Sequence, residues 1–315
     1  MKIKTILKNS IIELLSFFLK DELKKFYLKE SIVRIAYTIY ARIRGAKIIC
    51  SSKVTKKSDT VFILGSGESL SHITDDMWNH ISNHDVFGVN MSIVHDYPVN
   101  FQFWEMLGTE SIDRIFLDRI NQEQFRNTKI VINLNHALNK GFFASKDVKI
   151  LKNNNVFGYA PLNLSLGKPT KENFSNYYEF IRSDKKSKHT VHHCTHIGAA
   201  VDYAFLCGYK KIVLIGCDLN GGKYFTEVES KSDKYKVNDY YSKCNVARNE
   251  HALTTQEFFG KLHPTMQKEL MEKKGTIDAF SYFKVVQGFY SNHGTRLYVM
   301  NESSLLSEFI NIYTD

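Results

Sequence analysis

An apolar strand that runs directly into a Gly-x-Gly turn constrains the fold of this chain more than any other feature. Residues 61–64 lead into Gly65-Ser66-Gly67 and then into a segment that reads as the start of a helix. Such a turn brings backbone N–H groups and a helix N-terminus towards an anion, which suits a phosphate or a sugar nucleotide. Leu70 stands where the dinucleotide fingerprint has its third glycine, so the pattern disfavours NAD and FAD. A plain tight turn is the alternative.

From Thr60 onward, short apolar runs alternate with helical stretches. This order predicts an α/β fold, with a mostly parallel, Rossmann-like sheet and helices on both faces. The expected strands cover 61–64, 86–89, 99–104, 129–133, 156–159, 211–215 and 296–299. Helices are expected over 197–206, before Gly208, and over 256–262. The polar, tyrosine-rich stretch from 221 to about 250 has no period, and we interpret it as a lid insertion.

Length and composition fit one large globular domain with an appendage. The 315 residues are 43% hydrophobic, and most of the net charge of +9 lies in the first 50 residues. We therefore divide the chain into a basic amphipathic helical segment, 1–58, and a Rossmann-like domain, 59–315. The nearly neutral body argues against a nucleic-acid partner. The five cysteines have no C-x-x-C spacing, so neither a disulfide framework nor a zinc ribbon is indicated.

The amino-terminal segment has the pattern of a surface-bound helix. Its apolar run at 11–19 is short, contains Glu13 and precedes a charged run, so it is neither a spanning helix nor a signal peptide. Ile35, Ile39 and Ile43 recur at helical spacing between basic residues, which favours a peripheral contact with an anionic membrane. Packing on the domain is the alternative. The expected location is cytoplasmic, on the inner face of the plasma membrane.

Polar residues follow two of the expected strands. Asp218 and Asn220 come directly after 211–215, and the Gly65 turn comes directly after 61–64. In an open α/β sheet, ligands bind at the carboxyl ends of the strands. The two ends are therefore expected to face one crevice.

Several motifs in this chain share their order and approximate spacing with one enzyme family. They are Gly65-x-Gly-x-Ser-Leu70, Gly88-Val89-Asn90-Met91, the helix with Gly198 that leads to Gly208-Tyr-Lys-Lys-Ile-Val-Leu-Ile-Gly-x-Asp218, His251 ahead of Glu257-Phe258-Phe259, and the closing Leu297-Tyr-Val-Met-Asn-Glu-Ser-Ser-Leu-Leu306. From residue 61 to about 310 the chain resembles the bacterial sialyltransferases of glycosyltransferase family 42.

The resemblance implies transfer of a sialic-acid-type sugar from a CMP donor to a glycan hydroxyl of a bacterial surface glycan, lipopolysaccharide or capsule. It implies inversion at the anomeric carbon and no cofactor or required metal. His251 would be the general base, a role that suits an imidazole with an ordinary pKa near 6.5. Asn220 and Tyr224 would assist the leaving phosphate. The residues expected to bind the donor are Gly65, Ser66, Gly67, Ser69, Asn90, His196, Ile197, Gly198, Asp218 and Ser303.

The chain departs from the family at three of these places. The family has a tyrosine where Asn220 stands, an asparagine where Ser66 stands and a proline where Glu68 stands. A related CMP-nonulosonate or CMP-Kdo is therefore an alternative donor. A pyrophosphokinase-like or other nucleotide-dependent enzyme that uses the same turn is the alternative function. Acceptor, linkage and a homo-oligomeric state are left open.

A group of histidines offers the rival interpretation of a metal site. His189, His192, His193 and His196 lie close to Cys194 in the sequence, and all are zinc-ligand types. The consecutive residues 192–194 cannot all point the same way, so we expect no metal here and one residue, His196, in the donor pocket. The chain also has no Asp-x-Asp pair of the kind that bridges a cation to a diphosphate. Trp104 and Glu105 end a strand near the expected cleft, where they could contact a sugar; for Trp104, an ordinary place in the core is the favoured interpretation.

Overall fold

The computed structural model describes residues 22–105, 110–139, 155–163, 170–183, 190–193, 195–254 and 264–314. The α-helices are α1 (Glu22–Ile43), α2 (Asp75–Ile81), α3 (Glu110–Ile120), α4 (Leu134–Asn139), α5 (Lys171–Ser183), α6 (His196–Leu206), α7 (Asn238–Thr254), α8 (Lys268–Lys273) and α9 (Ala279–Asn292). The strands are β1 (Lys47–Ile48), β2 (Thr60–Leu64), β3 (Asp85–Val89), β4 (Phe101–Trp104), β5 (Lys129–Asn133), β6 (Val156–Tyr159), β7 (Leu162–Asn163), β8 (Val191–His192), β9 (Lys211–Ile215), β10 (Arg296–Val299) and β11 (Asn311–Ile312).

A sheet of nine strands forms the centre of the described fold. Its order is β1-β6-β5-β4-β3-β2-β9-β10-β11, and every neighbouring pair is parallel. β7 and β8 form a separate parallel pair. The expected strands are all present, and four of them have the expected bounds. The chain is thus an α/β protein with a Rossmann-like parallel sheet, as the sequence predicts.

Alternate residues of each strand face two separate cores, one on either side of the sheet. In β2, Phe62 belongs to the core that contains Trp78 of α2, whereas Ile63 belongs to the core that contains Tyr203 of α6 and Tyr282 of α9. Both β2 residues are fully buried. A strand buried on both faces reads as a continuous apolar run, which is why β2 and β9 were recognisable in the sequence.

The amino-terminal helix packs on the domain and also exposes apolar residues. The Phe26 ring of α1 makes an edge-to-face contact with the Tyr177 ring of α5, and the ring centroids are 4.9 Å apart. On the same helix, Ile35, Ile39 and Ile43 are 49%, 54% and 76% exposed. β1, which also lies within 1–58, pairs with β6 at the edge of the sheet. No helix in the described part of the chain is both long and apolar enough to cross a membrane.

One expectation about local structure is wrong. The stretch at 221–250 is not irregular throughout, because α7 occupies Asn238–Thr254 and packs on the core through Tyr240, Tyr241, Cys244 and Ala247. Tyrosine, cysteine and alanine gave this buried face a weak apolar signal. The Gly-x-Gly turn leads into a helix, as expected, and this helix is a five-residue 3-10 helix, Glu68–His72. The helix expected at 256–262 lies outside the described residues.

A buried carboxylate joins the elements that carry the histidine-rich segment. Asp202 of α6 accepts hydrogen bonds from the Val191 N–H of β8 at 2.6 Å and from the Tyr178 hydroxyl at 2.6 Å, and it pairs with the Arg182 guanidinium. Both side chains of the ion pair are buried, at 2% and 0% exposure. Asp202 therefore fixes β8, and with it His192, against α6.

We expect the substitution Asp202→Asn to lower the free energy of unfolding by roughly 3–5 kcal/mol, because it leaves the Arg182 charge buried without its counter-ion. Urea unfolding followed by circular dichroism measures the change. The matched control is Asp59→Asn, which breaks the exposed Lys56–Asp59 pair and should leave stability nearly unchanged. Equal effects of the two substitutions would contradict the anchoring role of Asp202.

Candidate active site

A cleft opens where the strand order reverses, between the carboxyl ends of β2 and β9. It has a volume of about 480 Å³. Its lining includes Gly65, Ser66, Gly67, Asn90, Glu105, His196, Ile197, Asp218, Asn220, Lys223, Tyr224 and Lys274. This is the position at which open α/β sheets bind ligands. The β2 and β9 ends therefore share one crevice, as the sequence predicts.

The glycine turn packs tightly against the end of β9. A Cβ atom on Gly65 would lie 2.3 Å from the Gly216 carbonyl oxygen, and one on Gly67 would lie 2.4 Å from Asp218 Oδ2. The Gly65 N–H donates to the Ile215 carbonyl at 2.7 Å, and the Gly67 N–H donates to the Gly216 carbonyl at 2.8 Å. The glycines are therefore required for close approach of two backbones. The expectation that this turn presents bare N–H groups is wrong at these two residues.

Asp218, beyond the end of β9, also binds the segment that follows the glycine turn. Its buried carboxylate accepts the Ser69 N–H at 2.9 Å and also the Ser69 hydroxyl. The Ser69 hydroxyl oxygen in turn accepts the Gly216 N–H at 3.1 Å. Asp218 lines the cleft, whereas Ser69 is engaged behind it. These bonds hold the ends of β2 and β9 together and fix the position of the residues that line the cleft there.

Two lining residues that are not glycine adopt left-handed backbone conformations. Asn90 has φ of 48° and Leu219 has φ of 59°. Asparagine tolerates this region, whereas leucine in it is uncommon and strained. The Asn90 side-chain oxygen accepts the Glu105 N–H at 3.1 Å, so Asn90 joins the ends of β3 and β4. Asn90 directly follows β3, and Leu219 lies shortly after β9. At both positions the chain must turn around the cleft.

Glu105 stands at the centre of a group of imidazoles. Its Oε1 lies 3.8 Å from His192 Nε2, and its Oε2 lies 3.7 Å from His196 Nδ1. The Nδ1 of His136 is hydrogen-bonded to the Glu105 carbonyl at 3.0 Å. Burial raises the pKa of Glu105 to about 7 and lowers the pKa of His192 to about 3. The pKa of His196 is also lowered by burial, so the imidazoles of His192 and His196 are neutral at neutral pH.

His193, from the same segment, points away from this group, whereas His189 and Cys194 lie outside the described residues. His193 Nε2 is hydrogen-bonded to the Ile277 carbonyl at 3.0 Å, and its ring stacks on Tyr282. The divergence of His192 and His193 agrees with the expectation for consecutive residues. Sequence reasoning nevertheless missed that Glu105, directly after β4, and His136, in the helix α4 that follows β5, meet the histidines. The available signal was their position just beyond two strands of a parallel sheet.

The expected leaving-group residues lie on the loop that follows β9. The Asn220 amide donates to the Ser303 carbonyl at 3.4 Å and accepts the Gly222 N–H at 3.0 Å. Tyr224 lies beside the glycine turn, where it forms an antiparallel bridge with Gly67. Both residues line the cleft, whereas Ser303 contacts it only through Asn220.

Gly198 and Ile197 begin helix α6. The Gly198 N–H donates to the Thr195 hydroxyl at 3.0 Å, which caps the helix. A Cβ atom on Gly198 would lie 3.0 Å from the Tyr282 ring, so this glycine serves packing in the core rather than the cleft. Ile197 does line the cleft.

His251 lies within α7, on the same helix as the buried Cys244 and Ala247. Its backbone is helical, whereas its side chain lies outside the described part of the structure. The role of His251 as general base is therefore a prediction that the geometry leaves untested.

Three comparisons with known proteins complete this description. No family model matches the chain, and no curated protein matches it. Among solved structures, the sialyltransferase CstII of Campylobacter jejuni in complex with CMP is 18% identical, with a TM-score of 0.41 over 81% of this chain and 85% of that chain. The monofunctional alpha-2,3-sialyltransferase Cst-I of the same organism is 17% identical, with a TM-score of 0.42 over 83% and 82%. Both of these solved structures are described as sialyltransferases.

We expect Gly65→Ala and Gly288→Ala to change stability in opposite directions. The first places a Cβ atom against the Gly216 carbonyl and should lower the free energy of unfolding by about 1–3 kcal/mol. The second lies inside α9, where a Cβ atom meets nothing within 4 Å, and should raise it by about 0.5–1 kcal/mol. Urea unfolding of both variants measures this, and a neutral Gly65→Ala would refute the close packing.

Proposed function

We propose that this chain is a glycosyltransferase that moves a sialic-acid-type sugar from a CMP donor to a hydroxyl of a bacterial surface glycan, lipopolysaccharide or capsule. The observation that supports the proposal is that several sequence motifs line the same cleft. Segments far apart in the sequence, including 65–67, Asn90 and 218–224, carry the motifs that resemble family 42 and line one cleft.

The proposed step is a direct displacement. The acceptor oxygen attacks the anomeric carbon, the bond from that carbon to the phosphate oxygen breaks, and CMP leaves with the electron pair. The opposite-face attack inverts the anomeric configuration. His251 removes the proton from the acceptor hydroxyl. Tyr224 donates a hydrogen bond to the departing phosphate, and Asn90 with the backbone around Gly65 holds the nucleotide.

Positive charge for the phosphate comes from two lysines. Lys223 and Lys274 both line the cleft. A CMP ester has a single phosphate, so two ammonium groups and hydrogen-bond donors suffice to stabilise the charge that develops on it. The proposed displacement therefore proceeds without a divalent cation on the phosphate.

Contact with the membrane surface is part of the same proposal. Ile35, Ile39 and Ile43 form an exposed apolar stripe on α1, and Arg42 and Arg44 lie beside it in the sequence. This combination suits the surface of an anionic bilayer. The 1–58 segment would hold the 59–315 domain beside a lipid-linked acceptor at the inner face of the plasma membrane.

A screen of nucleotides tests the proposed donor. We expect CMP to raise the melting temperature, because a ligand that binds only the folded state stabilises it. CMP-sialate should support transfer of the sugar or be hydrolysed slowly by the enzyme. CMP-Kdo and a related CMP-nonulosonate distinguish the alternative sugars. ATP and S-adenosylmethionine serve as controls that should give no shift. Stabilisation by ATP alone would instead indicate a pyrophosphokinase-like enzyme and overturn the proposal.

Substitution of His251 by alanine tests the assigned base. We expect kcat to fall by about 100-fold or more, because proton removal from the acceptor is lost, while CMP still raises the melting temperature. The control is His293→Ala, an exposed residue at the end of α9, which should retain full activity. Full activity of the His251 variant would show that another group removes the proton.

A further inference from the structure

Three side chains from separate elements form a cluster of metal-ligand type at the inner end of the cleft. They are Glu105, which follows β4, His192 of β8 and His196 of α6. One ligand atom from each lies within 4.8 Å of the others. The separations of 3.7 and 3.8 Å between the Glu105 oxygens and the imidazole nitrogens are too long for direct hydrogen bonds. They are close to the roughly 3.4 Å that separates two ligands of a tetrahedral zinc ion.

The second observation concerns the burial and hydrogen bonding of the His196 side chain. Its side chain is 1% exposed. Neither of its ring nitrogens has a hydrogen-bond partner among the residues that the structure describes. A buried polar group without a partner costs free energy of folding. One of the two nitrogens faces Glu105, and an ion at this position would give it a partner.

His192 is oriented as a metal ligand would be. Its Nδ1 is hydrogen-bonded to the Tyr159 hydroxyl at 3.2 Å, and its Nε2 faces Glu105. With Nδ1–H donating to the Tyr159 oxygen, Nε2 presents a lone pair to the centre of the cluster. Metal-ligating histidines commonly have such a partner on the nitrogen that faces away from the metal.

The ligand set indicates which ion would fit. Two imidazoles and one carboxylate suit zinc and neighbouring transition metals, whereas magnesium and calcium prefer oxygen ligands. Three protein ligands leave the fourth tetrahedral position open, which is the arrangement of reactive rather than purely structural zinc sites. Glu105 and His196 both line the cleft, so the open position faces it.

We propose that Glu105, His192 and His196 form a Zn²⁺ site whose open coordination position faces the cleft. The proposal goes beyond the transferase function. The ion takes no part in the proton transfer assigned to His251 or in stabilising the leaving phosphate, and in its open position it binds a carboxylate or carbonyl oxygen of a bound molecule. Its effect is on the binding of that molecule.

The test measures metal binding directly, without a donor or an acceptor. The full-length protein is stripped with a chelator, dialysed and titrated with Co²⁺, which replaces zinc and gives intense visible absorption in tetrahedral sites. We expect saturation at one ion per chain, displacement by Zn²⁺ and a higher melting temperature with either ion. Because no step depends on transfer, the result is independent of whether the chain proves to be a sialyltransferase.

Variants assign the site. Glu105→Gln, His192→Gln and His196→Gln should each abolish the visible band or weaken Co²⁺ binding by about 100-fold or more. Tyr159→Phe removes the hydroxyl that is hydrogen-bonded to His192 and should weaken binding by about 10–100-fold. The control is His293→Gln, which should bind as the wild type does. Circular dichroism establishes that each variant is folded.

Two results would overturn the proposal. One is the absence of any tetrahedral Co²⁺ spectrum in the folded wild-type protein. The other is equal Co²⁺ affinity of the wild type, Tyr159→Phe and the three ligand variants, which would place the ion elsewhere. Should a ligand variant fail to fold, Tyr159→Phe and the wild-type spectrum still decide between these outcomes.

Discussion

The parallel arrangement of the nine sheet strands is the constraint on which the site depends. Because all of them run the same way, their carboxyl ends lie at one edge, and residues from distant parts of the sequence meet there. β2 pairs with β3 on one side and with β9 on the other. The chain must therefore leave β2 in one direction and return to it from the other, and the cleft lies where these paths separate. The contact between Gly65 and Gly216 holds this point together.

Much of the fold could be predicted from the sequence, because strands buried on both faces leave a strong apolar signal. β5, β6, β9 and β10 have the bounds that the residue pattern predicts. The prediction failed for α7, whose buried face is built from tyrosine, cysteine and alanine rather than leucine or isoleucine. It did not show that the helix after Gly67 is a short 3-10 helix whose Ser69 N–H donates to the Asp218 carboxylate. Sequence alone does not show such a tertiary contact.

The site could be predicted only in part, for a related reason. Residues that directly follow strands, such as Asn90 and Asp218, are visible as candidates because their location at the sheet edge follows from topology. The meeting of Glu105 with His192 and His196 depends on the path of α6 and of β8, and Asp202 fixes both. The residues next to a histidine in the sequence therefore do not predict its contacts in the structure. The consecutive His192 and His193 lie in different surroundings.

The pairing of β1 with β6 has a practical consequence for shortened forms of this protein. The sequence alone invites removal of the basic segment up to residue 58, since it resembles a detachable anchor. Doing so would strip the outermost strand from the sheet and leave the backbone groups of β6 open along a newly made edge. Such edges recruit other chains, so the truncated protein would gain a tendency to self-associate and precipitate. Improved solubility is better sought by replacing the exposed isoleucines of α1 with polar residues.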